Sequence, residues 1–253
     1  MGEHVAPTTP AKKKRSNIFW NIVGVIGELL ITCAVVIGLF SVWQLYWTTY
    51  QVAGQVEQTI ASYEEEHQPA KRTLGEVRTD DPPAFDREVG DGEVYGIIHV
   101  PTWDWMKIPL AEGTTPYVLD QGWAGHYDMT TQPGGVGNFS VAGHRRTYGN
   151  NFRWIDRLTQ GDKVVVEVDD RYLVYSMVSS EIIDATDPTQ MRVVAPVIDD
   201  ESWSEVPTER WMTMTTCHPE YGNWQRYIVH LKFESWTPKD TGVPAELVDE
   251  PTN

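Results

Sequence analysis

The chain is poor in cysteine: its 253 residues contain only Cys33 and Cys217. That count excludes a disulfide framework. No Cys and His stand at the spacing of zinc ligands, so neither a metal nor a cofactor is expected. Basic residues are scarce after the first 47 positions. Of 20 Lys and Arg, Lys12, Lys13, Lys14 and Arg15 lie before residue 48; of 36 Asp and Glu, only Glu3 and Glu28 do. The formal charge is −16, and the excess acid all lies beyond residue 47. Such a surface repels phosphate backbones and sets nucleic acid aside as a partner. Internal repeats are missing. Helical periodicity after residue 92 is limited to single turns near 152–158 and 189–193.

What the chain does have begins with a long apolar run. Residues 18–47 carry one formal charge, Glu28. At 1.5 Å per residue, roughly 20 such residues cross a bilayer core of about 30 Å. The basic run at 12–15 precedes it, which predicts a cytoplasmic N-terminus (1–17) and an exported C-terminal bulk. Trp43, Tyr46, Trp47 and Tyr50 cluster at the far end as an interfacial aromatic belt. A cleaved signal has a shorter apolar core and a small-residue cleavage site; this run is longer and ends in bulky aromatics. It reads as a retained single-pass anchor. Glu28 is costly in a bilayer and calls for a protein partner or water, unless the span begins near Leu29.

Beyond the anchor, 48–92 divides into two parts. Val52, Val56, Ile60 and Tyr63 recur at helical spacing, which predicts a short helical stalk to residue 67. From 68 to 92 the composition turns to Pro, Asp and Gly, the signature of a flexible acidic linker. Residues 93–236 are dominated by short β-branched and aromatic runs: VYGIIHV, WMKIPL, NFSVAG, KVVVEV, RYLVYSMVSS, WMTMTTC and RYIVHLKF. Turn formers punctuate them. The pattern predicts an all-β barrel or sandwich. The tail at 237–253 lacks a sustained apolar pattern and is expected to be disordered.

Cys33 falls within the anchor and Cys217 in the exported domain, so the two cannot pair within one chain. An exported unpaired thiol is reactive, buried and inert, or bonded to a second chain; composition leaves all three open. The neighbourhood favours reactivity. Cys217 ends WMTMTTC, the turn-rich HPEYGNWQ follows, and Arg226 opens RYIVHLKF. If the two strands pair antiparallel, Cys217 and Arg226 meet at one sheet edge. A guanidinium there is always charged, suits an oxyanion and favours thiolate. A proton carrier is also needed. His99 and His230 lie inside strands and read as structural. His126, His144 and His218 remain. His144 terminates a glycine-punctuated strand, so it and Cys217 could share one rim. His218 adjoins Cys217, and adjacent side chains on a strand point apart.

Around these residues the sequence resembles a sortase, most like the actinobacterial class E group. The segments that carry the resemblance are GNFSVAGHRRTYG (137–149) and TMTTCHP (213–219), in the order His, Cys, Arg. It spans about 93–235. The resemblance implies a closed eight-stranded β-barrel with short helical turns behind a single N-terminal transmembrane helix. It implies a membrane-anchored cysteine transpeptidase. Cys217 would attack the Thr–Gly bond of a C-terminal sorting signal and form a thioester. Arg226 would hold the signal and stabilise the oxyanion, and His144 would shuttle the proton. Class E prefers signals like LAxTG, class A LPxTG. Tyr127, in AGHYDMT, best matches the tyrosine associated with that preference, and Thr216 is a candidate wall of the substrate groove. Partners implied are surface proteins bearing the signal, a peptidoglycan precursor amine and the membrane. Arg146 stands where the family commonly has Thr, which suggests an extra cation for an acidic signal residue.

Other readings are weaker. A pilin-polymerising sortase would use a lysine as acceptor and often carries a lid and a second span, of which the sequence has no sign. An L,D-transpeptidase would set its cysteine in Ser-His-Gly-Cys, and a papain-like peptidase would place Cys before His. A non-catalytic surface module would keep an inert thiol.

Overall fold

A computed structural model of the chain describes residues 18–67 and 71–251. The basic run at 12–15 lies outside the described residues. Two compact units divide the chain, Met1–Trp43 and Gln44–Asn253. The described part of the first is helical. Helix α1 runs Ile18–His67 and continues into the second unit. Among the described residues it is the one helix long and apolar enough to cross a membrane. Its large apolar side chains from residue 19 to 43 are exposed.

The second unit is a barrel. Eight strands among its described residues, β1 (Val94–Val100), β2 (Met106–Glu112), β3 (Ala124–His126), β4 (Gly137–Ala142), β5 (Lys163–Val168), β6 (Arg171–Asp184), β7 (Arg210–His218) and β8 (Gln225–Pro238), close in the order β1-β2-β3-β4-β7-β8-β6-β5. A four-residue helix, α2 (Pro116–Leu119), lies between β2 and β3. Most neighbours are antiparallel; β2–β3 and β4–β7 are parallel. Parallel neighbours need a long crossover, and the one from β4 to β7 contains β5, β6 and a 3-10 turn at Pro188–Val194.

Strand alternation explains the core. In KVVVEV, Val164, Val166 and Val168 enter the barrel beside Leu173, Tyr175 and Met177 of β6. Val165 and Glu167 necessarily face the other way. In WMTMTTC, Met212 and Met214 enter the core beside Val229 and Leu231, so Thr213, Thr215 and Cys217 share the outer face.

The outer face of β5 and β6 is itself apolar, and this corrects the expectation of a disordered tail at 237–253. Val165, Tyr172 and Val174 are covered by Val243 and Leu247, which follow β8. Burying each of those two side chains is worth about 1.5–3 kcal/mol. Charge completes the closure. His99 lies between Glu167 (2.8 Å) and Glu250 (3.0 Å), Lys239 reaches Glu167 at 2.7 Å, and Lys107 reaches Glu250 at 3.3 Å. The tail shows no long apolar pattern because a few anchors hold it.

The segment expected as a free linker is also laid down from residue 71. Leu74 bridges Val243 and Arg78 bridges Trp236. Arg78 sits over the Trp236 ring at 5.0 Å, and Arg171 donates to the Pro83 carbonyl. The stalk expected at 48–67 is the second half of α1. Val52 and Tyr63 are buried there, and Lys107 binds Glu64 at 2.7 Å.

Candidate active site

β7 and β8 form the hairpin expected from sequence. Cys217 is the register partner of Arg226, followed outward by His218 opposite Gln225. Partners across an antiparallel pair project to the same face. Arg226 therefore lies on the same face as Cys217. Its Nη1 donates to the carbonyls of Asn223 (2.7 Å) and Gln225 (2.9 Å). Nε and Nη2 have no protein partner among the described residues.

His144 arrives by the parallel pairing of β4 with β7. Ala142 is opposite Thr215, and Gly143 N–H donates to the Thr215 carbonyl at 3.1 Å. His144 and Cys217 each lie two residues beyond that pair, so both leave the barrel at the same end. Thr216 ties them: its hydroxyl donates to the Gly143 carbonyl at 2.6 Å. This places Thr216, expected as a groove wall, on the opposite face from Cys217, where it is buried. Thr215 shares the face of Cys217 instead and makes a 2.9 Å hydrogen bond with the Tyr127 hydroxyl.

Tyr127 lies beside Thr215 and within electrostatic reach of Arg226 and Cys217. Burial pushes its hydroxyl up; the Thr215 hydrogen bond and Arg226 pull it down, and Cys217 pushes it up again. The ring packs with Trp203 against Ile183, Val193, Val194 and Ile228. Asn138 holds this wall in place by donating to the carbonyls of Val193 and Ala195, both at 3.1 Å, while accepting from Thr213 at 2.8 Å. The result is a buried apolar cluster whose Tyr127 lies within electrostatic reach of Cys217 and Arg226.

The other histidines separate cleanly. His126 is fully buried and bonded to Glu112 at 2.9 Å, a structural role. His230 bonds Thr213 at 2.9 Å. His218 accepts from Arg145 at 2.8 Å, and burial and then the Arg145 charge hold its imidazole below the usual range. Arg145 is buried and also pairs with Asp156 at 2.7 Å. Sequence reading passed over it for Arg146, whose charge proves to be paired with Glu220 while it sits over the Tyr221 ring at 4.9 Å. That pairing offsets the extra cation expected for an acidic signal residue.

The loop after His144 is strained. Thr147, Tyr148 and Asn150 have φ of 71°, 42° and 52°. Left-handed φ at non-glycine residues persists only where the surroundings enforce it, and it concentrates at functional sites. Here α1 is part of the enforcement. A Cβ on Gly122 would lie 2.9 Å from Val56 and 3.1 Å from the Tyr148 carbonyl, and one on Gly149 would lie 3.4 Å from Val52.

Comparison with known proteins places the chain in a family. Residues 98–234 match the sortase domain family. The chain is 37% identical over 229 residues to sortase SrtE1 of Streptomyces coelicolor, covering 88% of this chain. It spans 60% of that relative's length. Among solved structures, the SrtA sortase from Actinomyces oris matches with TM-score 0.64 and 42% identity, over 70% of this chain and 99% of the other. Sortase E1 from Streptomyces coelicolor, solved with a tripeptide in its active site, matches with TM-score 0.55 and 37% identity, over 63% and 99%.

Proposed function

Because this chain belongs to the sortase family and is similar to sortase E proteins of Streptomyces, we propose that it is a membrane-anchored cysteine transpeptidase acting on C-terminal sorting signals. The observation that carries this reading is the register pairing of Cys217 with Arg226, at the barrel end where His144 also emerges. The Cys217 thiolate attacks the threonine carbonyl of an LAxTG-like signal. Arg226 donates to the oxyanion. His144 gives its proton to the departing glycine amine, and the C–N bond breaks to leave a thioester. An acceptor amine then attacks the thioester, His144 takes its proton, and the thiolate leaves as the new amide forms. A cell-wall precursor amine is the acceptor this reading favours over a pilin lysine.

Helix α1 supplies the anchor, with the N-terminus cytoplasmic and the barrel outside. Cys217, at its end of the barrel, is half-buried. The strap of residues 74–85 contacts the far end of β8, at Trp236, about 33 Å along the strand from Arg226.

The test uses the full chain in detergent, since α1, the strap and the tail all pack on the barrel. Incubation with quenched LAxTG and LPxTG peptides, with and without an amine, should give cleavage after Thr, a thioester on Cys217 and an amide product by mass spectrometry. A folded protein that cleaves neither peptide, or a Cys217→Ala variant that cleaves as the parent does, would sink the reading.

A further inference from the structure

His144 is not held by its own strand alone. Its Nε2 lies 2.8 Å from Asp120 Oδ1, with both side chains partly shielded. Resting on the transpeptidase reading above, we propose that Asp120 is the positioning residue of His144: it accepts the Nε2 proton and so assigns Nδ1 to the proton traffic with sulfur and amine.

The chemistry follows from donor and acceptor roles. An ionised carboxylate only accepts, so the hydrogen in this contact belongs to Nε2. The neutral ring is then confined to the tautomer whose Nδ1 has a lone pair, and Nδ1 has no protein partner among the described residues. Ring rotation, which would exchange the two nitrogens, is opposed by Tyr148, whose ring stacks on His144 at 5.3 Å and 30°.

Asp120 is itself well fixed. It closes α2, its N–H donating to the Pro116 carbonyl at 3.0 Å. The next side chain, Gln121, takes a 2.6 Å hydrogen bond from Gln55 of α1. Gly122 N–H then donates to Leu119 at 3.0 Å. The other nearby charges are already engaged, Arg146 with Glu220 and Arg145 with Asp156. Nucleophile, proton carrier and orienting carboxylate thus come from three separate segments, an arrangement that general-base chemistry uses on unrelated folds.

The test is made on the full chain in detergent with Asp120→Ala, Asp120→Asn and Asp120→Glu. Steady-state cleavage is read beside the ring-nitrogen resonances of 15N-histidine-labelled protein, with His144 identified by its loss in His144→Ala. Asp120→Ala should lower kcat about 10–100-fold with KM within twofold, and the His144 ring should pass from one tautomer to a mixture. Asp120→Glu should restore part of both. The isosteric Asp120→Asn guards against misfolding and should also lower kcat. A parent ring that is not the Nε2–H tautomer, or an Asp120→Ala variant with parental kcat or parental ring resonances, overturns the proposal. The resonance measurement stands even if the parent cleaves neither peptide, so failure of the transpeptidase reading is distinguishable.

Discussion

Cys217 and Arg226 face one another across β7 and β8 as partners in register, at the last full pair but one before the connecting loop. A guanidinium fork in that position can give two hydrogen bonds to one oxygen site, which an ammonium cannot reproduce. Arg226→Ala should lower kcat/KM by about 10²–10³, the range seen when an oxyanion donor is removed. Arg226→Lys should recover only a small part. Peptide cleavage rates measure both. Cys217 should remain reactive toward a charged thiosulfonate in each variant.

Tyr127 places its hydroxyl on Thr215 at 2.9 Å, beside the buried apolar cluster its ring packs against. Tyr127→Phe leaves the buried Thr215 hydroxyl without that partner and makes the wall less polar. The preference for LAxTG over LPxTG should fall about tenfold or less, in keeping with the size of single-group discrimination. Competition between the two peptides in one reaction reads the ratio directly.

The tail clasp should depend on pH. Burial works against a charged His99, but the hydrogen bonds it donates to Glu167 and Glu250, with their charges, outweigh it and raise its pKa. Burial likewise works against Glu167 and Glu250, yet His99 with Lys239 or Lys107 holds both down, Glu167 to about 2. The histidine's contribution is complete below about pH 6.5 and is lost as pH rises through its raised value. The carboxylate contributions are present above about pH 4.3 and are lost as pH falls through their lowered values. Docking of 243–250 should therefore be firmest between roughly pH 4.5 and 6.5. Hydrogen exchange of that segment should quicken on the alkaline side beyond its intrinsic pH dependence, and Glu250→Gln should flatten the effect.

Gly122 and Gly161 both have positive φ, of 80° and 95°. A Cβ on Gly122 collides with Val56 and the Tyr148 carbonyl, whereas one on Gly161 meets nothing within 4 Å. Gly161→Ala should cost about 1–2 kcal/mol of backbone strain and leave turnover alone. Gly122→Ala adds crowding of about 1–3 kcal/mol and should also lower kcat by displacing α1 from the His144 loop. Thermal unfolding and peptide turnover of the two variants separate strain from bracing.

Much of this was legible in the chain itself. β-Branched runs marked the strands, and the turn-rich HPEYGNWQ marked the hairpin that pairs Cys217 with Arg226. The alternation Met-Thr-Met-Thr-Thr-Cys even assigns Thr215, not Thr216, to the face of Cys217, since the methionines seek the core. Other features were hidden because distant segments create them. Asp120 sits 24 positions before His144, and nothing local marks it. The tail looked disordered because its anchors, Val243, Leu247 and Glu250, are sparse and two of them serve an outward-facing patch of β5 and β6 that alternation predicts but does not pair.

The parallel seam between β4 and β7 has a consequence for how such a protein can change. His144 and Cys217 take their spacing from neighbouring strands, whatever the length of chain that joins them. The apolar cluster beside them takes Val193, Val194 and Trp203 from the connection between β6 and β7. The spacing of His144 and Cys217 and this part of their surroundings are thus encoded in separate stretches of gene. A descendant with a rewritten 185–209 would repack that cluster and inherit the spacing unaltered.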